Sequence, residues 1–369
     1  MPIKPSHPGV ASGVSRRIHL LLAVSVAAVA ASALASPTRA ADEQMIETGS
    51  SLLYPLFNLW IPEYVKSHKG LEITPQSTGS GTGISQAIDG TAQIGGSDAY
   101  LSNALAKEHA SMMNIPLAIS SQMVNYNLPG MAKAHLHLSG PVLAQIFQGK
   151  ITAWNDPAIK TLNPGVDLPS QKIVTIHRTD GSGDTFIFSQ YLSASDPEWE
   201  KSLSFGTTIS WPSVAGAIGA VGNPGVVDAM KNVPYSIGYV GISFKTATES
   251  NHLGEAALEN RAGKFVLPTP ESVKAAANDL SGKTPVNESM SLIFAAGDAS
   301  YPIVNYEYAI VNAKQSDAKM GREIKAFLSW TILPDDGGAA RFLDQVSFVA
   351  LPAAVEKLSQ AQIDKIGEE

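Results

Sequence analysis

The sequence predicts an α/β fold with a mostly parallel sheet and two domains. Short apolar runs alternate with segments of helical periodicity, which is the pattern of strands joined by helices. The length of 369 residues is typical of two domains of roughly 150 residues each. Three polar, glycine-rich loops each follow a predicted strand and precede a predicted helix. In such sheets ligands bind at the carboxyl ends of strands, beside helix N-termini.

The predicted elements follow from these patterns. Leu56, Leu59, Trp60 and Tyr64 form one apolar face, which indicates a helix over 52–67. Further helices are predicted at 83–89, 140–148, 183–192, 226–232 and 317–330. Strands are predicted at 45–48, 71–76, 93–96, 172–178, 237–240 and 301–313, with one or two more in 113–126.

The first 40 residues have the order of an export signal. Arg16 and Arg17 precede an apolar run from Leu20 to about Leu34, and small residues follow as candidate cleavage sites. The run is too short and too rich in alanine for a membrane span. Both the general secretory route and the twin-arginine route fit the paired arginines. We therefore expect a periplasmic or secreted protein from which residues 1–40 are removed.

Composition excludes several classes of protein. Cysteine is absent, so disulfides, cysteine-held metals and thiol nucleophiles are excluded. Residues 1–40 hold four basic residues and no acid, so the rest of the chain has 22 basic and 33 acidic residues, a net charge of −11. That charge argues against a nucleic-acid partner. We expect no cofactor and no metal, and a monomer.

The three loops together predict an oxyanion site. They are Glu47–Ser51, Ser77–Gly83 and Thr179–Thr185. Glycine lets backbone N–H groups turn toward a ligand, Ser and Thr add hydroxyls, and a helix start adds free N–H groups and partial positive charge. One such loop is often an ordinary helix cap. Three in the same strand–loop–helix setting favour a cradle for a tetrahedral anion.

Charged residues beside these loops refine the expectation. Arg178 ends a predicted strand and can bind an oxyanion with two N–H groups, while Asp180 can hold the guanidinium; a surface ion pair is the alternative. Asp98 ends another strand after Gly95-Gly96-Ser97. An ionised carboxylate only accepts hydrogen bonds, so Asp98 favours an anion that still carries a proton. Phosphate has such a proton at neutral pH and sulfate does not.

Enzyme motifs are weak. The Walker pattern GxxxxGK[ST] and the dinucleotide pattern GxGxxG are absent, and Gly95-Gly96-Ser97-Asp98-Ala99 lacks the last glycine of GxSxG. We predict no catalytic residue.

The chain resembles the periplasmic phosphate-binding proteins of ABC transporters, over about Met45 to Leu358. Seven segments in the family's order carry the resemblance: 48–55, 79–83, 96–99, 146–155, 178–183, 236–240 and 301–303. It implies a two-lobed periplasmic-binding-protein fold with the ligand cleft between lobes that crossing strands join. Lobe 1 would comprise residues 45–123 and 303–369, and lobe 2 residues 124–302.

The resemblance also implies the site residues. Phosphate would contact Ser51, the Leu52 N–H, Ser80, Asp98, Arg178, Ser182, Gly183 and position 184, and Asp180 would orient Arg178. Two positions depart from the family. Ser51-Leu52 replaces a frequent Thr-Phe and keeps the hydroxyl and the N–H. Asp184 stands where members often have Thr or Ser, so its carboxylate either turns away or accepts a second proton, and Thr185 can supply the missing hydroxyl.

The implied function is non-catalytic. The protein would bind inorganic phosphate and deliver it to the permease subunits of an inner-membrane ABC transporter. Two alternatives stay open on the residues alone. One is a binder of another tetrahedral oxyanion, such as sulfate or molybdate, and the other is an extracellular phosphatase built on the same cradle.

Overall fold

The structure is a computed structural model that describes residues 43–367. The signal peptide predicted at 1–40 therefore lies outside the described residues. Twelve strands in this range are β1 (Glu43–Gly49), β2 (Leu71–Ser77), β3 (Ile94–Ser97), β4 (Met112–Tyr126), β5 (His137–Leu138), β6 (Val174–Arg178), β7 (Ile218–Ala220), β8 (Ser236–Gly241), β9 (Gly254–Glu255), β10 (Ala257–Glu259), β11 (Phe265–Val266) and β12 (Val304–Asn312).

Thirteen α-helices connect the strands within the same range. They are α1 (Tyr54–Tyr64), α2 (Ser80–Ile88), α3 (Asn103–Glu108), α4 (Gly140–Phe147), α5 (Pro157–Leu162), α6 (Gly183–Ser195), α7 (Pro197–Ser202), α8 (Gly222–Asn232), α9 (Lys245–Ser250), α10 (Pro270–Leu280), α11 (Ala318–Ile332), α12 (Ala340–Leu343) and α13 (Ala353–Ile363). Two begin earlier than predicted. α2 starts at Ser80 rather than 83, and α8 starts at Gly222 rather than 226, because small residues in both segments are compatible with a first helical turn.

Nine strands in the described part of the chain form one sheet in the order β2-β1-β3-β12-β4-β8-β6-β7, with β9 also paired to β4. The outer pairs β1–β2, β1–β3, β6–β7 and β6–β8 are parallel. The central pairs of β4 with β12, β8 and β9, and of β12 with β3, are antiparallel. The expectation of a mostly parallel sheet therefore holds only for the outer strands. β5, β10 and β11 form a separate small sheet.

Strand β4 joins the two halves of the large sheet. Its residues 112–121 pair with β12, and residues 122–126 pair with β8. All 15 residues of β4 are buried, including five polar ones: Asn114, Ser120, Ser121, Gln122 and Asn125. The register with β12 shifts between Glu307 and Tyr308, where Leu117 has no partner and the adjacent Pro116, which cannot donate to the ladder, lies opposite Tyr308. Glu307 is a buried acid at this bulge.

Aromatic side chains pack on both halves of the sheet. On one half, Phe57 of α1 meets Trp60 edge to face with ring centroids 5.6 Å apart. On the other half, Phe188 of α6 stacks on Tyr239 of β8 at 4.5 Å. Such pairs add about 0.5–1.5 kcal/mol beyond the burial of apolar area. The second pair fixes α6 against β8, so the first turn of α6 has a defined position at the sheet edge.

Candidate anion-binding site

The three glycine-rich loops converge at the carboxyl ends of β1, β2 and β6. The loop after β1 leads to α1, the loop after β2 leads to α2, and the loop after β6 leads to α6. The tips of the last two loops touch, because the Gly81 N–H donates to the Gly181 carbonyl at 2.8 Å. A Cβ on Gly183 would lie 2.2 Å from Asp98 Oδ2 and 2.4 Å from Ser80 Oγ. Glycine at 183 is therefore required for this approach of the two loops.

Two adjacent serines after β1 have different roles. Ser50 Oγ donates to the carboxylate of Asp98 and accepts the N–H groups of Leu52 and Leu53, both at 3.0 Å. The Leu52 N–H, predicted to face the ligand, is thus engaged with Ser50. Ser51 Oγ accepts from the backbone N and the Nδ2 of Asn223 at 3.1 and 3.0 Å. Its own O–H remains a donor for the site.

Asp98 is a buried acceptor at the end of β3. Its N–H donates to Ser80 Oγ at 3.2 Å, and its Oδ2 receives no hydrogen bond from an amide, hydroxyl or guanidinium within residues 43–367. Burial first, and then the charge of Asp184, raise the pKa of Asp98 to about 7. The hydrogen bond from Ser50 opposes this shift. A carboxylate in this position can accept a hydrogen bond from a protonated oxygen of a ligand.

Glu307 of β12 adjoins Asp98. Burial, and then the Asp98 charge, raise the pKa of Glu307 well above its ordinary value. In its neutral form Glu307 donates a hydrogen bond to Asp98, which lowers the Asp98 pKa. Glu307 Oε1 accepts from Ser120 Oγ at 2.5 Å and from Asn305 Nδ2 at 2.9 Å. Glu307 therefore supports Asp98 as the ionised member of the pair.

Arg178 supplies the positive charge. Its Nε and one terminal nitrogen donate to the two carboxylate oxygens of Asp180 at 2.7 and 2.5 Å, and its other terminal nitrogen donates to Asp184 at 2.5 Å. Burial favours a lower pKa of Arg178, but the hydrogen bond to Asp180 and the nearby carboxylate charges raise it. A guanidinium has five N–H donors. Two therefore remain for a ligand.

Asp184, the second residue of α6, turns into the site. Its Oδ2 accepts from Arg178 and from Asn223 Nδ2 at 2.8 Å, and its Oδ1 accepts from Gln122 Nε2 at 3.1 Å. Asn223 thus joins Ser51 to Asp184. Of the two alternatives that the sequence leaves for Asp184, an outward orientation is excluded by these contacts.

The N-terminus of α6 adds donors. Ser182 caps the helix by accepting the Thr185 N–H at 3.1 Å, and its hydroxyl hydrogen stays available. The N–H groups of Gly183 and Asp184 belong to the first helical turn and have no intrahelical acceptor. Thr185 Oγ1 lies 2.7 Å from the Tyr239 hydroxyl, which also accepts the Arg178 N–H at 3.0 Å. Thr185 therefore supports β8 and Arg178 through Tyr239.

The structure brings all nine predicted site residues together. In one group, Asn223 joins Ser51 to Asp184, and Arg178 joins Asp184 to Asp180. In the other group, Ser50 joins Leu52 to Asp98, and Asp98 contacts Ser80. Gly183, with the adjoining Ser182, lies close against Asp98 and Ser80.

Four members of the site were missed: Ser50, Gln122, Asn223 and Glu307. Glu307 is an acid between two tyrosines in a strand-like run, and that signal could have identified it, whereas Gln122 follows two serines and has no such signal. Asn223 lies in a segment with glycines at 216, 219, 222 and 225, and no pattern there indicates a role for it.

The arrangement suits a small anion that carries at least one proton. Hydroxyls of Ser51, Ser80 and Ser182, the helix start and Arg178 are donors, and Asp98 is an acceptor. The site lies between the two halves of the sheet, so a bound anion would be removed from water. Electrostatic interactions are stronger in such surroundings.

A family model covers most of the chain. The family described as PBP superfamily domain matches residues 34–335, so this chain is a member of the PBP superfamily.

Curated relatives identify the family more closely. The phosphate-binding protein PstS of Pasteurella multocida (strain Pm70) is 35% identical over 314 residues, covering 85% of this chain and 88% of the relative. The phosphate-binding protein PstS of Haemophilus influenzae (strain ATCC 51907 / DSM 11121 / KW20 / Rd) is 33% identical, and the match covers 85% of this chain and 90% of the relative. The chain belongs to the family of these phosphate-binding proteins.

Solved structures show the same fold. The high-affinity periplasmic phosphate-binding protein PfluDING, bound with phosphate, superposes with a TM-score of 0.69 at 20% identity, covering 86% of this chain and 93% of that chain. A putative phosphate ABC transporter substrate-binding protein from Clostridium perfringens, also with bound phosphate, superposes with a TM-score of 0.60 at 14% identity. The match covers 84% of this chain and 100% of that chain.

The role of Ser50 can be tested by stability. We expect Ser50→Ala to lower the free energy of unfolding by about 1–3 kcal/mol, because Asp98 and two N–H groups lose a buried partner. Ser121→Ala is the matched control, since Ser121 is equally buried and its hydroxyl has no hydrogen-bond partner in the described region. Chemical denaturation of the ligand-free proteins measures the free energy of unfolding of both variants and of the wild type. Equal effects of the two variants would contradict the assignment.

Proposed function

We propose that this protein binds inorganic phosphate between two lobes and delivers it to an inner-membrane ABC-transporter permease. The observation that carries the proposal is Asp98, a buried acceptor facing a set of donors that include Arg178. Phosphate at neutral pH offers both ionised oxygens for those donors and a proton for Asp98. The names of the relatives support the same ligand.

The buried acceptor also defines the specificity. Sulfate has no proton to donate, so its binding would place two negative groups in contact at Asp98. Removal of the partner of a buried polar group costs about 1–3 kcal/mol, and more for charged groups. Molybdate is disfavoured for the same reason when it is fully ionised. Phosphate is thus selected by the matching of donors and acceptors.

The proposed role is binding without catalysis. The Ser97 hydroxyl, the candidate nucleophile in the nearest hydrolase-like motif, donates to the Ala99 carbonyl at 2.6 Å and accepts the Ala99 N–H at 3.0 Å. A nucleophilic serine instead requires a base within hydrogen-bond reach. The names of the family's relatives describe binding proteins, which supports the same assignment.

The proposed location is the periplasm or the exterior of the cell. A signal peptide at 1–40 would direct export and would then be removed. Among residues 43–367, no helix is both long enough and apolar enough to cross a membrane. We propose a monomeric binding protein, because one chain supplies every loop of the site.

We propose that residues 45–123 with 303–369 and residues 124–302 act as two lobes that close on phosphate. The pairing of β4 supports this division, because its partner changes from β12 to β8 between residues 121 and 122. Both sides of that boundary contribute binding groups, so a ligand would draw them together.

Lobe closure predicts a change in size. Phosphate should reduce the radius of gyration of the protein, as measured by small-angle X-ray scattering with and without the ligand. Sulfate at the same ionic strength is the control and should leave the curve unchanged. Superimposable curves with and without saturating phosphate would contradict closure.

Arg178 should be the largest single contributor to affinity. We expect Arg178→Ala to weaken phosphate binding at least about tenfold, because charge-assisted hydrogen bonds contribute about 1.5–3 kcal/mol each. Calorimetric titration measures the effect, and circular dichroism confirms folding. Arg322→Ala is the control, since Arg322 is exposed on α11. Unchanged affinity in folded Arg178→Ala would place the site elsewhere.

Asp98 should determine the preference for phosphate over sulfate. Asp98→Asn keeps the shape of the side chain, removes its charge and adds N–H donors. We expect the ratio of phosphate to sulfate affinity to fall at least about tenfold, since a charged hydrogen bond of about 1.5–3 kcal/mol is exchanged. Calorimetry with both anions at one pH and ionic strength provides the ratio. A ratio equal to that of the wild type would refute the role of Asp98.

A further inference from the structure

Asp184 gives this site a second buried acid that faces the ligand groups. Its side chain is 1% exposed, and it reaches Arg178, Asn223 and Gln122 from the first turn of α6. Asn223 Nδ2 also contacts Ser51 Oγ. The Asp184 carboxylate therefore shares its donors with the residues that we propose for phosphate.

The charges around Arg178 leave little attraction for a dianion. Asp180 accepts two of the guanidinium hydrogen bonds, and Asp184 accepts a third. Asp98 adds a further carboxyl group close enough to Asp184 for each charge to affect the other. With these three carboxyls ionised, one positive charge faces three negative charges before a ligand arrives. A dianion entering this set would meet a net negative site.

We infer that Asp184 is a specificity-determining residue that makes the site select dihydrogen phosphate over hydrogen phosphate. Dihydrogen phosphate has one negative charge and two protons, so it can donate one proton to Asp98 and one to Asp184. Its two remaining oxygens accept from Arg178, the serine hydroxyls and the start of α6. This inference rests on the proposed function, and it adds the protonation state of the ligand.

The groups around Asp184 are compatible with a proton shared between its carboxylate and phosphate. Arg178 of β6 is the hydrogen-bonded cation, Asp98 after β3 is the acid whose charge interacts with that of Asp184, and Tyr239 of β8 accepts the Arg178 N–H. β4 and α8 contribute the neutral amides of Gln122 and Asn223. Burial raises the pKa of Asp184, and the charge and hydrogen bond of Arg178 oppose the shift. The neutral form is thus favoured more than in an exposed aspartate.

Because proton binding and phosphate binding are linked, the inference predicts how many protons the protein takes up when phosphate binds. With Asp184 ionised by its contact with Arg178 in the free protein, binding as dihydrogen phosphate above the pH at which free phosphate loses its second proton must take up one proton. The association constant should then fall about tenfold per pH unit. A site with Asp98 as its only acceptor binds hydrogen phosphate directly and takes up no proton. The count is the same wherever the proton lies between phosphate and Asp184.

The test is calorimetric titration of the full protein with inorganic phosphate at about pH 6 and about pH 8. At the higher pH the titration is repeated in two buffers of different ionisation enthalpy, which gives the number of protons taken up. We expect about one proton for the wild type and close to none for Asp184→Asn. We also expect the variant to lose most of the fall in affinity between the two pH values.

Two further variants keep the test decisive. Asp184→Thr restores a residue frequent in the family and replaces Asp184→Asn if that variant fails to fold. Glu271→Gln is the matched control, because Glu271 is an exposed acid in the first turn of α10, and it should keep the proton uptake of the wild type.

The outcomes separate the inference from the proposed function. If the wild type binds phosphate without proton uptake, or if uptake persists in both Asp184 variants, the inference fails and phosphate binding stands. Asp184 would then be a structural partner of Arg178 only. If the wild type binds no phosphate at either pH, the proposed function fails.

Discussion

The burial of the Arg178 guanidinium is the constraint on which the rest of the site depends. A cation removed from water is costly unless carboxylates and hydrogen bonds compensate it. Asp180 provides a two-point contact from the same loop, and Asp184 provides another from the start of α6. Tyr239 holds the backbone of Arg178 through its hydroxyl. The position of the charge is thus fixed by β6, β8 and α6 together.

A second group of contacts extends from Arg178 to the other half of the sheet. Asp184 and Ser51 both accept from Asn223, and Ser51 belongs to the loop after β1. Asp98 in turn is held by Ser50 and adjoins Glu307. Hydrogen bonds in such a connected, buried network strengthen one another, and an unpaired member is costly. The site therefore responds as a unit to the charge of whatever enters it.

Local sequence was sufficient for much of the fold and for the loops that meet at the site, whereas most individual site residues were implied by the resemblance to the phosphate-binding family. The alternating strands and helices, the loops before α2 and α6 and the strand end at Arg178 are encoded in neighbouring residues, so their patterns could be interpreted directly. The direction of the central strands could not be predicted in this way. β4 and β12 are strands of mixed apolar and polar residues, and their sequences do not distinguish a parallel from an antiparallel partner.

Contacts between distant segments account for the remaining differences. Ser50 and Ser51 are adjacent and chemically identical, and only the positions of Asp98 and Asn223 assign them different roles. The inward orientation of Asp184 likewise depends on Gln122, which is 62 residues away in the chain. The acid at 184 could be recognised as unusual from sequence, but its partners could be found only in the folded protein.

The contact between the two loop tips has a consequence for the rate of release. Gly81 and Gly181 meet through backbone atoms, and Gly183 lies directly against Asp98 and Ser80. No side chain at these three positions can swing aside as a gate. An enclosed ion would leave only when the backbone segments separate, so its residence time would be limited by the frequency of that larger motion. If the protein delivers its ligand to a permease as proposed, a permease that accelerates release would then have to act on the two proposed lobes themselves.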